Sequence, residues 1–159
     1  MSGGTVILSA GDQADLHDVM AVMQDSFDAR FGEAWTMAQC AGLLPLPGVW
    51  LTLARADDEV LGFALARLVA DEAELLLLAV KTAAQGRGTG RILLEHFEDE
   101  AVARGAVRLH LEVREGNHAL RLYELAGFSL VGRRRDYYCG QQRDRYDALT
   151  LAKRADKLR

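Results

Sequence analysis

The chain has 159 residues and a net charge of −4 at neutral pH, with 50% hydrophobic and 26% charged residues. This balance is typical of a globular protein with a buried core and excludes a disordered chain, and the length predicts one domain over residues 1–159. Apolar runs such as Leu75–Val80 are too short to cross a bilayer and Cys40 and Cys139 lack metal-ligand spacing, so we expect a cytoplasmic protein without a membrane segment or a metal site.

The first part of the chain predicts one strand and two helices. Thr5–Ala10 is apolar and β-branched, which favours a strand. Asp12 is placed to cap a helix with an apolar stripe at spacings of three and four. The stripe consists of Leu16, Val19, Met20, Met23 and Phe27. Thr36 and Gln39 have the spacing of a capping box for a second helix, which Pro45 ends because proline lacks an amide proton.

Three strands follow with short connections between them. They are predicted over Val49–Arg55, Val60–Val69 and Glu74–Val80. Such short connections favour antiparallel hairpins, since a parallel return needs about a dozen residues. The third run is apolar at consecutive positions, which predicts that both of its faces are covered.

The second half predicts two helices alternating with strands. One helix opens at the glycines between Gly86 and Gly90 and ends near Arg104, and a short helix covers Ala119–Leu125. Strands are predicted over Val107–Val113, Phe128–Val131 and Tyr146–Leu151, the last two joined by a polar loop. The element order predicts an α/β chain with a mixed sheet and helices on both faces.

A glycine-rich loop connects the buried third strand to the long helix. It reads Gln85, Gly86, Arg87, Gly88, Thr89, Gly90 and Arg91. Glycines allow a sharp turn and a close approach by a ligand, while the helix start offers free amide protons and a positive dipole end. The loop therefore predicts a phosphate or pyrophosphate site, against the simpler interpretation of a strand-to-helix turn.

The type of phosphate ligand is constrained by the glycine spacing. The chain contains no G-x-x-x-x-G-K-[ST] string, which excludes a P-loop. The glycines do not have the G-x-G-x-x-G spacing of a dinucleotide fingerprint, although Glu112 at the end of the next strand mimics the acidic ribose ligand of a Rossmann unit. Three antiparallel strands upstream argue against that fold.

The loop resembles the Q/R-x-x-G-x-G/A pyrophosphate loop of the Gcn5-related N-acetyltransferase (GNAT) superfamily. The similarity extends through the Leu111–Arg114 segment, Asn117, Leu122-Tyr123-Glu124, Gly127-Phe128 and Arg134 to Tyr138. The pattern is most similar to the ribosomal-protein-alanine (RimI-type) branch. This resemblance implies the GNAT fold, an α/β (α+β) architecture with a mostly antiparallel sheet of six to seven strands and about four helices on both faces.

The resemblance implies acetyl-CoA as the acyl donor, held by all seven residues of the glycine loop. It further implies that Asn117 hydrogen-bonds the donor and that Leu78 and Val80 offer backbone groups to the pantetheine arm. Asn117 is also placed to cap a helix. Between Asn117 and Ala119 the chain is one residue shorter than the family pattern, at the start of the helix that carries Tyr123.

The resemblance also implies catalytic roles for Glu112 as the base and for Tyr123 as the acid that protonates the departing thiolate. Without the resemblance, Glu112 is equally well explained as a salt-bridged carboxylate at a strand end. Tyr123 has the alternative interpretation of a core tyrosine on an amphipathic helix. His110 shares a strand face with Glu112 and either lines the amine pocket or packs in the sheet.

The implied activity is direct transfer of an acetyl group in a ternary complex to a primary amine, above all a protein N-terminal α-amine such as that of a ribosomal protein. The alternatives are a small-molecule amine acetyltransferase, a non-catalytic CoA-binding module and a nucleotide-binding Rossmann half. We expect a monomer or homodimer with no metal, membrane or nucleic-acid partner.

Basic residues are concentrated at the C-terminal end of the chain. From Arg133 to Arg159 there are nine Lys and Arg against four Asp, a balance of +5, so the rest of the chain carries −9. Charge alone points to nucleic acid, an acidic partner or a solvated surface. In the fold that the chain resembles, the segment starts in a loop beside the acceptor pocket, where Arg134 and Arg135 would steer an acidic peptide or border the entrance.

Overall fold

The computed structural model describes residues 4–155 and contains seven strands and four α-helices within that range. The strands are β1 (Ile7–Gly11), β2 (Val49–Ala56), β3 (Glu59–Val69), β4 (Glu72–Val80), β5 (Arg108–Arg114), β6 (Ser129–Cys139) and β7 (Arg145–Arg154). The helices are α1 (Leu16–Ser26), α2 (Met37–Leu43), α3 (Thr89–Ala103) and α4 (Ala119–Leu125). The predicted α/β class and element order are confirmed.

All seven strands form one sheet in the order β1-β2-β3-β4-β5-β7-β6. The pairs β1–β2, β2–β3 and β3–β4 are antiparallel, which confirms the predicted meander. Only β4 and β5 pair in parallel, and α3 makes the crossover between them. Parallel neighbours require such a crossover, and this one brings the glycine loop to the end of β4.

The two faces of the sheet carry separate cores, because neighbouring residues of a strand point to opposite faces. In β3, Phe63 and Leu65 pack with α1 and α2, whereas Ala64 and Ala66 pack with α3 and α4. In β4, Leu75 belongs to the α3 side. The next core residue of that strand, Leu77, belongs to the α1 side, so both faces of β4 are covered as predicted.

The capping signals predicted for both N-terminal helices are present. Asp12 accepts from the amide of Ala14 and its own amide donates to Asp15, but this box caps a short 3-10 turn (Gln13–Asp15) that precedes α1. Thr36 and Gln39 form the predicted reciprocal box at the start of α2. The Thr36 box fixes one end of the segment 27–36, which lies beside the site described below.

The prediction of a polar loop between Val131 and Tyr146 is wrong, because most of these residues belong to longer strands β6 and β7. Only residues 140–144 remain as the turn. The edge strand tolerates its charges because they pair: Arg133 binds Asp147 at 2.6 Å, and Asp147 accepts from the amide of Asp136. Asp136 has a φ of 52°, and the register is irregular between Arg134 and Tyr138.

Among the helices of residues 4–155, none is long and apolar enough to span a membrane.

Candidate active site

The parallel strands β4 and β5 separate halfway along their length. Their pairing runs from Glu72 with Arg108 to Leu75 with Leu111 and goes no further. At this point β4 has a bulge, since Leu75 and Leu77 face consecutive residues of β3 and Leu76 is the extra residue. Beyond the bulge the strands diverge and leave a gap between them.

A cleft of about 880 Å³ fills the space between the diverging strands. One end is lined by the glycine loop, including Gln85, Gly86, Gly88, Thr89, Gly90 and Arg91. The lining also contains Leu78 and Val80 of β4, Glu112 of β5, Asn117, and Tyr123 of α4. The structure therefore brings together all but one of the predicted site residues; Arg87 is exposed and lies outside the lining.

The glycine loop turns through two left-handed residues before α3 starts. Gly86 and Gly88 have φ values of 79° and 85°, in open space where a Cβ would meet nothing within 4 Å. Helix hydrogen bonding begins at the amide of Ile92, which donates to the Gly88 carbonyl. The first amides of α3 therefore have no partner within the helix and are suited to an anion.

The polar side chains of the loop hold its position. The Gln85 side-chain amide donates to the Val80 carbonyl at 2.9 Å, so this residue braces the loop against the end of β4. Arg91 forms a 3.1 Å pair with Glu95 one turn along α3 and is largely exposed. Such an exposed pair is weak, which leaves the Arg91 guanidinium available to an anionic ligand.

Glu112 faces the cleft with one carboxylate oxygen already engaged. Its Oε2 lies 2.7 Å from Nε of Arg134 and accepts from the Thr150 hydroxyl at 3.3 Å. Both partners come from neighbouring strands of the sheet. Glu112 is therefore both an ion-paired carboxylate near a strand end, as in the alternative interpretation, and a residue of the cleft lining.

Tyr123 is buried at the other side of the cleft, with its ring 6.2 Å from that of Phe128. Burial, together with the nearby carboxylate of Glu33 and the phenol of Tyr138, raises the pKa of Tyr123 well above that of a free phenol. Although the chain is one residue short before Ala119, α4 begins where predicted and Tyr123 lines the cleft.

Asn117 binds protein groups through both ends of its side chain. Its carbonyl oxygen accepts from the amide of Ala119 at 2.8 Å, although the N-cap position of α4 is His118 and not Asn117 as predicted. Its side-chain amide donates to Glu33 at 2.6 Å. The amide has two protons, so one remains for a ligand.

Glu33 is a site residue that sequence reasoning missed. It pairs with Arg114 at 3.0 Å, each side chain being only 9% exposed. The Arg114 guanidinium also lies 3.7 Å from the centre of the Phe31 ring. No local signal identifies Glu33, because its partners Arg114 and Asn117 are 81 and 84 residues away in the chain.

The segment 27–36 touches the turn between β6 and β7 beside the cleft. The amide of Gln141 donates to the Ala29 carbonyl at 3.0 Å. A Cβ at Gly32 would overlap the Cys139 carbonyl, and one at Gly140 would overlap the Arg30 carbonyl. These two backbones approach so closely that together they form one wall beside the cleft.

His110 lies outside the cleft lining, between two carboxylates. Its ring nitrogens are 4.0 Å from Glu72 and 3.8 Å from Glu74. Within residues 4–155 no group of three or more His, Cys, Asp or Glu side chains is arranged to hold a metal ion.

The site thus combines diverging central strands, a helix start with free amides, and a carboxylate and a phenol in one cleft. The family model "Acetyltransferase (GNAT) family" matches residues 16–128, and the chain belongs to this family. Acetyltransferases of the family use acetyl-CoA.

Curated relatives of the chain are named as N-acetyltransferases. The chain is 47% identical over 98 residues to a protein of Salmonella typhimurium named "[Ribosomal protein bS18]-alanine N-acetyltransferase"; the match covers 61% of this chain and 66% of that protein. It is 43% identical over 98 residues to "N-alpha-acetyltransferase RimI" of Mycobacterium tuberculosis, covering 58% and 60%. The chain thus spans slightly less than two thirds of these relatives.

Solved structures extend the likeness over nearly the whole chain. The ribosomal-protein-S18-alanine N-acetyltransferase of Escherichia coli superposes with a TM-score of 0.84 at 31% identity, covering 95% of this chain and 94% of that one. Ard1 of Thermoplasma volcanium superposes with a TM-score of 0.81 at 22% identity, covering 94% and 97%, which shows the shared fold. The predicted GNAT fold is confirmed.

Proposed function

We propose that the chain, as one domain, transfers the acetyl group of acetyl-CoA to the N-terminal α-amine of a protein by direct attack in a ternary complex. The observation that carries this proposal is a single cleft with an anion-binding helix start at one end and Glu112 and Tyr123 between the diverging strands. Donor and acceptor would meet where the strands separate, so the acetyl group need not pass through an enzyme-bound intermediate.

The donor side of the cleft matches the chemistry of acetyl-CoA. The free amides at the start of α3 would bind the pyrophosphate, with charge from Arg91 and, after reorientation, from exposed Arg87. The unpaired part of β4, including Leu78 and Val80, would add backbone hydrogen bonds to the amides of the pantetheine arm. The remaining amide proton of Asn117 would reach the same arm.

Glu112 would receive the proton of the attacking amine. A free α-amine has a pKa of about 7.7–8.0, so a carboxylate or a water held by it is a sufficient base at neutral pH. Removing the proton exposes the nitrogen lone pair that forms the new C–N bond. The C–S bond then breaks, and the electron pair leaves with the sulfur.

Tyr123 would supply the proton that the departing thiolate takes up. A CoA thiol has a pKa near that of ordinary thiols, about 8.5, so the thiolate leaves more readily when a donor faces it. Because its pKa is raised, Tyr123 carries its proton at neutral pH, which is the form that this role requires.

The acceptor class is supported by the names of the relatives and by the wall over the cleft. Relatives from Salmonella typhimurium and Escherichia coli are named for the N-acetylation of an alanine of a ribosomal protein. The wall formed by segment 27–36 and the β6–β7 turn narrows the acceptor side, which favours a chain end over a side chain within a folded surface.

The test is thiol release from acetyl-CoA with a peptide that begins with alanine and contains an internal lysine. Tyr123→Phe is expected to lower kcat by about 100-fold or more, because general acid catalysis contributes about 10²–10⁴-fold. The matched acceptor is the same peptide with its N-terminus blocked, which should not react.

Each alternative has its own outcome. Reaction of the blocked peptide would assign the activity to lysine side chains, and reaction of small amines alone would assign it to small molecules. CoA binding without turnover on any acceptor would make the chain a CoA-binding module. An unchanged rate in Tyr123→Phe would remove Tyr123 from the mechanism.

A further inference from the structure

The two oxygens of Glu112 are not equivalent in the structure. Oε2 is held by the guanidinium of Arg134 at 2.7 Å and by the hydroxyl of Thr150 at 3.3 Å. Both donors come from strands that lie on the far side of Glu112 from β4. The carboxylate is therefore anchored from the sheet, on the side opposite the diverging strands.

Small residues let Arg134 reach across an intervening strand. β7 lies between β5 and β6, and its Thr150 is the register partner of both Glu112 and Gly132. Arg134 is paired with Ala148, one position along the same face. A glycine and an alanine leave the surface between Arg134 and Glu112 free for the arginine side chain.

The backbone that carries Arg134 is itself fixed. The neighbouring Arg133 donates to both carboxylate oxygens of Glu115, at 2.9 and 3.0 Å, and to Asp147 at 2.6 Å. Asp147 in turn accepts from the amide of Asp136, where the strand is irregular. Arg133 and Arg134 point to opposite faces of the sheet. Arg133 therefore fixes the position of the strand, while the side chain of Arg134 reaches Glu112 in the site.

We infer that Arg134 and Thr150 are positioning residues that hold Oε2 of Glu112 and thereby direct Oε1 to the acceptor amine. This inference rests on the proposed function, in which Glu112 takes the amine proton. The last torsion of a glutamate is broad and roughly two-fold, so an unanchored carboxylate would sample many orientations. An ion pair and a hydroxyl donor on one oxygen select the orientation in which the other oxygen faces the cleft.

The role differs from that of a structural ion pair. The Arg134 side chain is 62% exposed and that of Glu112 only 17%, so the pair contributes little to stability but orients a group inside the cleft. Removing Arg134 should therefore change the rate of the transfer step and leave the fold and the donor site intact.

The experiment measures thiol release for Arg134→Gln, Thr150→Val and Thr150→Ser, each with and without Glu112→Gln. Arg134→Gln is expected to lower kcat with the alanine peptide by about tenfold without changing the KM of acetyl-CoA, because small misplacements of reacting groups are costly. Thr150→Val should lower kcat about threefold, and Thr150→Ser, which keeps the hydroxyl, should restore it. In the Glu112→Gln background these changes should have no further effect.

The matched control is Arg145→Gln, which removes an exposed arginine at the start of β7. It should leave kcat and both KM values unchanged. An equal fall caused by Arg134→Gln in both backgrounds, or a rise in kcat/KM when Arg134 is removed, would overturn the positioning role. The rise would mean that Arg134 competes with the acceptor amine for Glu112.

A second readout does not depend on turnover. In nuclear magnetic resonance spectra of the chain, the Nε–H signal of Arg134 should shift when Glu112→Gln removes the charge of its ion-pair partner. Turnover in a chain whose Arg134 signal does not shift overturns the positioning role alone. A wild-type chain that shows no turnover on any amine overturns the proposed function and the positioning role together, even where the shift is present.

Discussion

Tyr123 and Glu112 illustrate how differently two residues of one cleft are held. Tyr123 lies among apolar side chains and has a raised pKa, so its environment favours the neutral phenol. Glu112 instead forms an ion pair with a guanidinium and accepts a hydrogen bond from a hydroxyl. The two side chains are therefore prepared for opposite tasks, one to give a proton and the other to accept one.

The raised pKa of Tyr123 makes a prediction about pH. The group stays protonated beyond the usual tyrosine pKa of about 10, so its ionisation should not limit the reaction in the neutral and moderately alkaline range. A free α-amine has a pKa of about 7.7–8.0. With the alanine peptide, kcat/KM should therefore rise with pH as the amine loses its proton and then stay level to about pH 9.5. Initial rates between pH 6.5 and 9.5 test this, and a descending limb below pH 9.5 would contradict it.

Glu33 shows what a single residue does when its partners are distant in sequence. It binds Arg114 at the end of β5 and Asn117 ahead of α4, so it joins the segment 27–36 to the helix that carries Tyr123. Its pattern in the sequence is that of an ordinary loop carboxylate. Only the fold brings the three side chains together.

At the scale of elements, the start of α3 and the wall over the cleft both depend on glycine, for different reasons. Gly88 needs a left-handed backbone and has open space around it. Gly140 is constrained by space and not by its φ angle, because the backbone of Arg30 occupies the position that a Cβ would take. The two positions therefore predict different consequences for the same substitution.

Gly88→Ala should destabilise the chain by about 1–2 kcal/mol, the cost of a left-handed residue with a Cβ. It should also weaken CoA binding, because relaxing that strain would move the first amides of α3. The matched control is Gly42→Ala in α2, outside the donor site, where a Cβ would meet nothing within 4 Å and helix propensity favours alanine by about 0.5–1 kcal/mol. Urea unfolding and CoA titration of both variants measure the effects; equal stability losses would contradict this account.

Gly140→Ala should raise the KM of the acceptor peptide about tenfold and leave that of acetyl-CoA unchanged, since displaced walls misplace the bound substrate. A Cβ there would overlap the Arg30 carbonyl and push the β6–β7 turn away from segment 27–36. Gly42→Ala in α2, where a Cβ meets nothing within 4 Å, is the control. Steady-state kinetics with each substrate varied decide the point, and an effect confined to acetyl-CoA would argue against a wall on the acceptor side.

At the scale of the whole molecule, a buried ion pair joins the two helices of the site to the sheet. Lys153 of β7 binds Glu98 of α3 at 2.7 Å, with side chains only 3% and 1% exposed. The same ammonium donates to the Ala126 carbonyl at the end of α4. The helix that begins at the glycine loop and the helix that carries Tyr123 thus share one cation.

Lys153→Met should therefore lower the free energy of unfolding by about 3–5 kcal/mol, because it leaves the buried Glu98 carboxylate without its partner. The double variant Lys153→Met with Glu98→Leu should recover much of this loss, since a packed apolar pair replaces the charges. The control is Lys81→Met, whose 3.1 Å pair with Glu59 is more exposed and should matter by less than about 1 kcal/mol. Urea denaturation measures all three, and a double variant as unstable as the single one would contradict the explanation.

The concentration of charge at the C-terminal end of the chain has a different meaning in three dimensions. Arg133 pairs with Glu115, Arg134 with Glu112 and Lys153 with Glu98, so part of the basic end neutralises acids from the preceding segments. The steering of an acidic peptide by Arg134 and Arg135 remains a prediction. Arg134 already has a partner at the site, because its guanidinium pairs with Glu112.

The sequence by itself determined the element order, the meander, the capping boxes, the glycine loop and α4, because these depend on periodicity and on residues within a few positions of one another. Up to α4, the predicted ends of the strands and helices lie within about two residues of the observed ones, apart from the 3-10 turn ahead of α1. Only the tertiary structure decided the length of β6 and β7. Their charged residues have the composition of a loop, and the strand becomes favourable because Arg133 pairs with Glu115 and Asp147. It also decided the contacts of Glu33, Arg134 and Lys153, since each depends on strands or helices that meet only after the chain has folded.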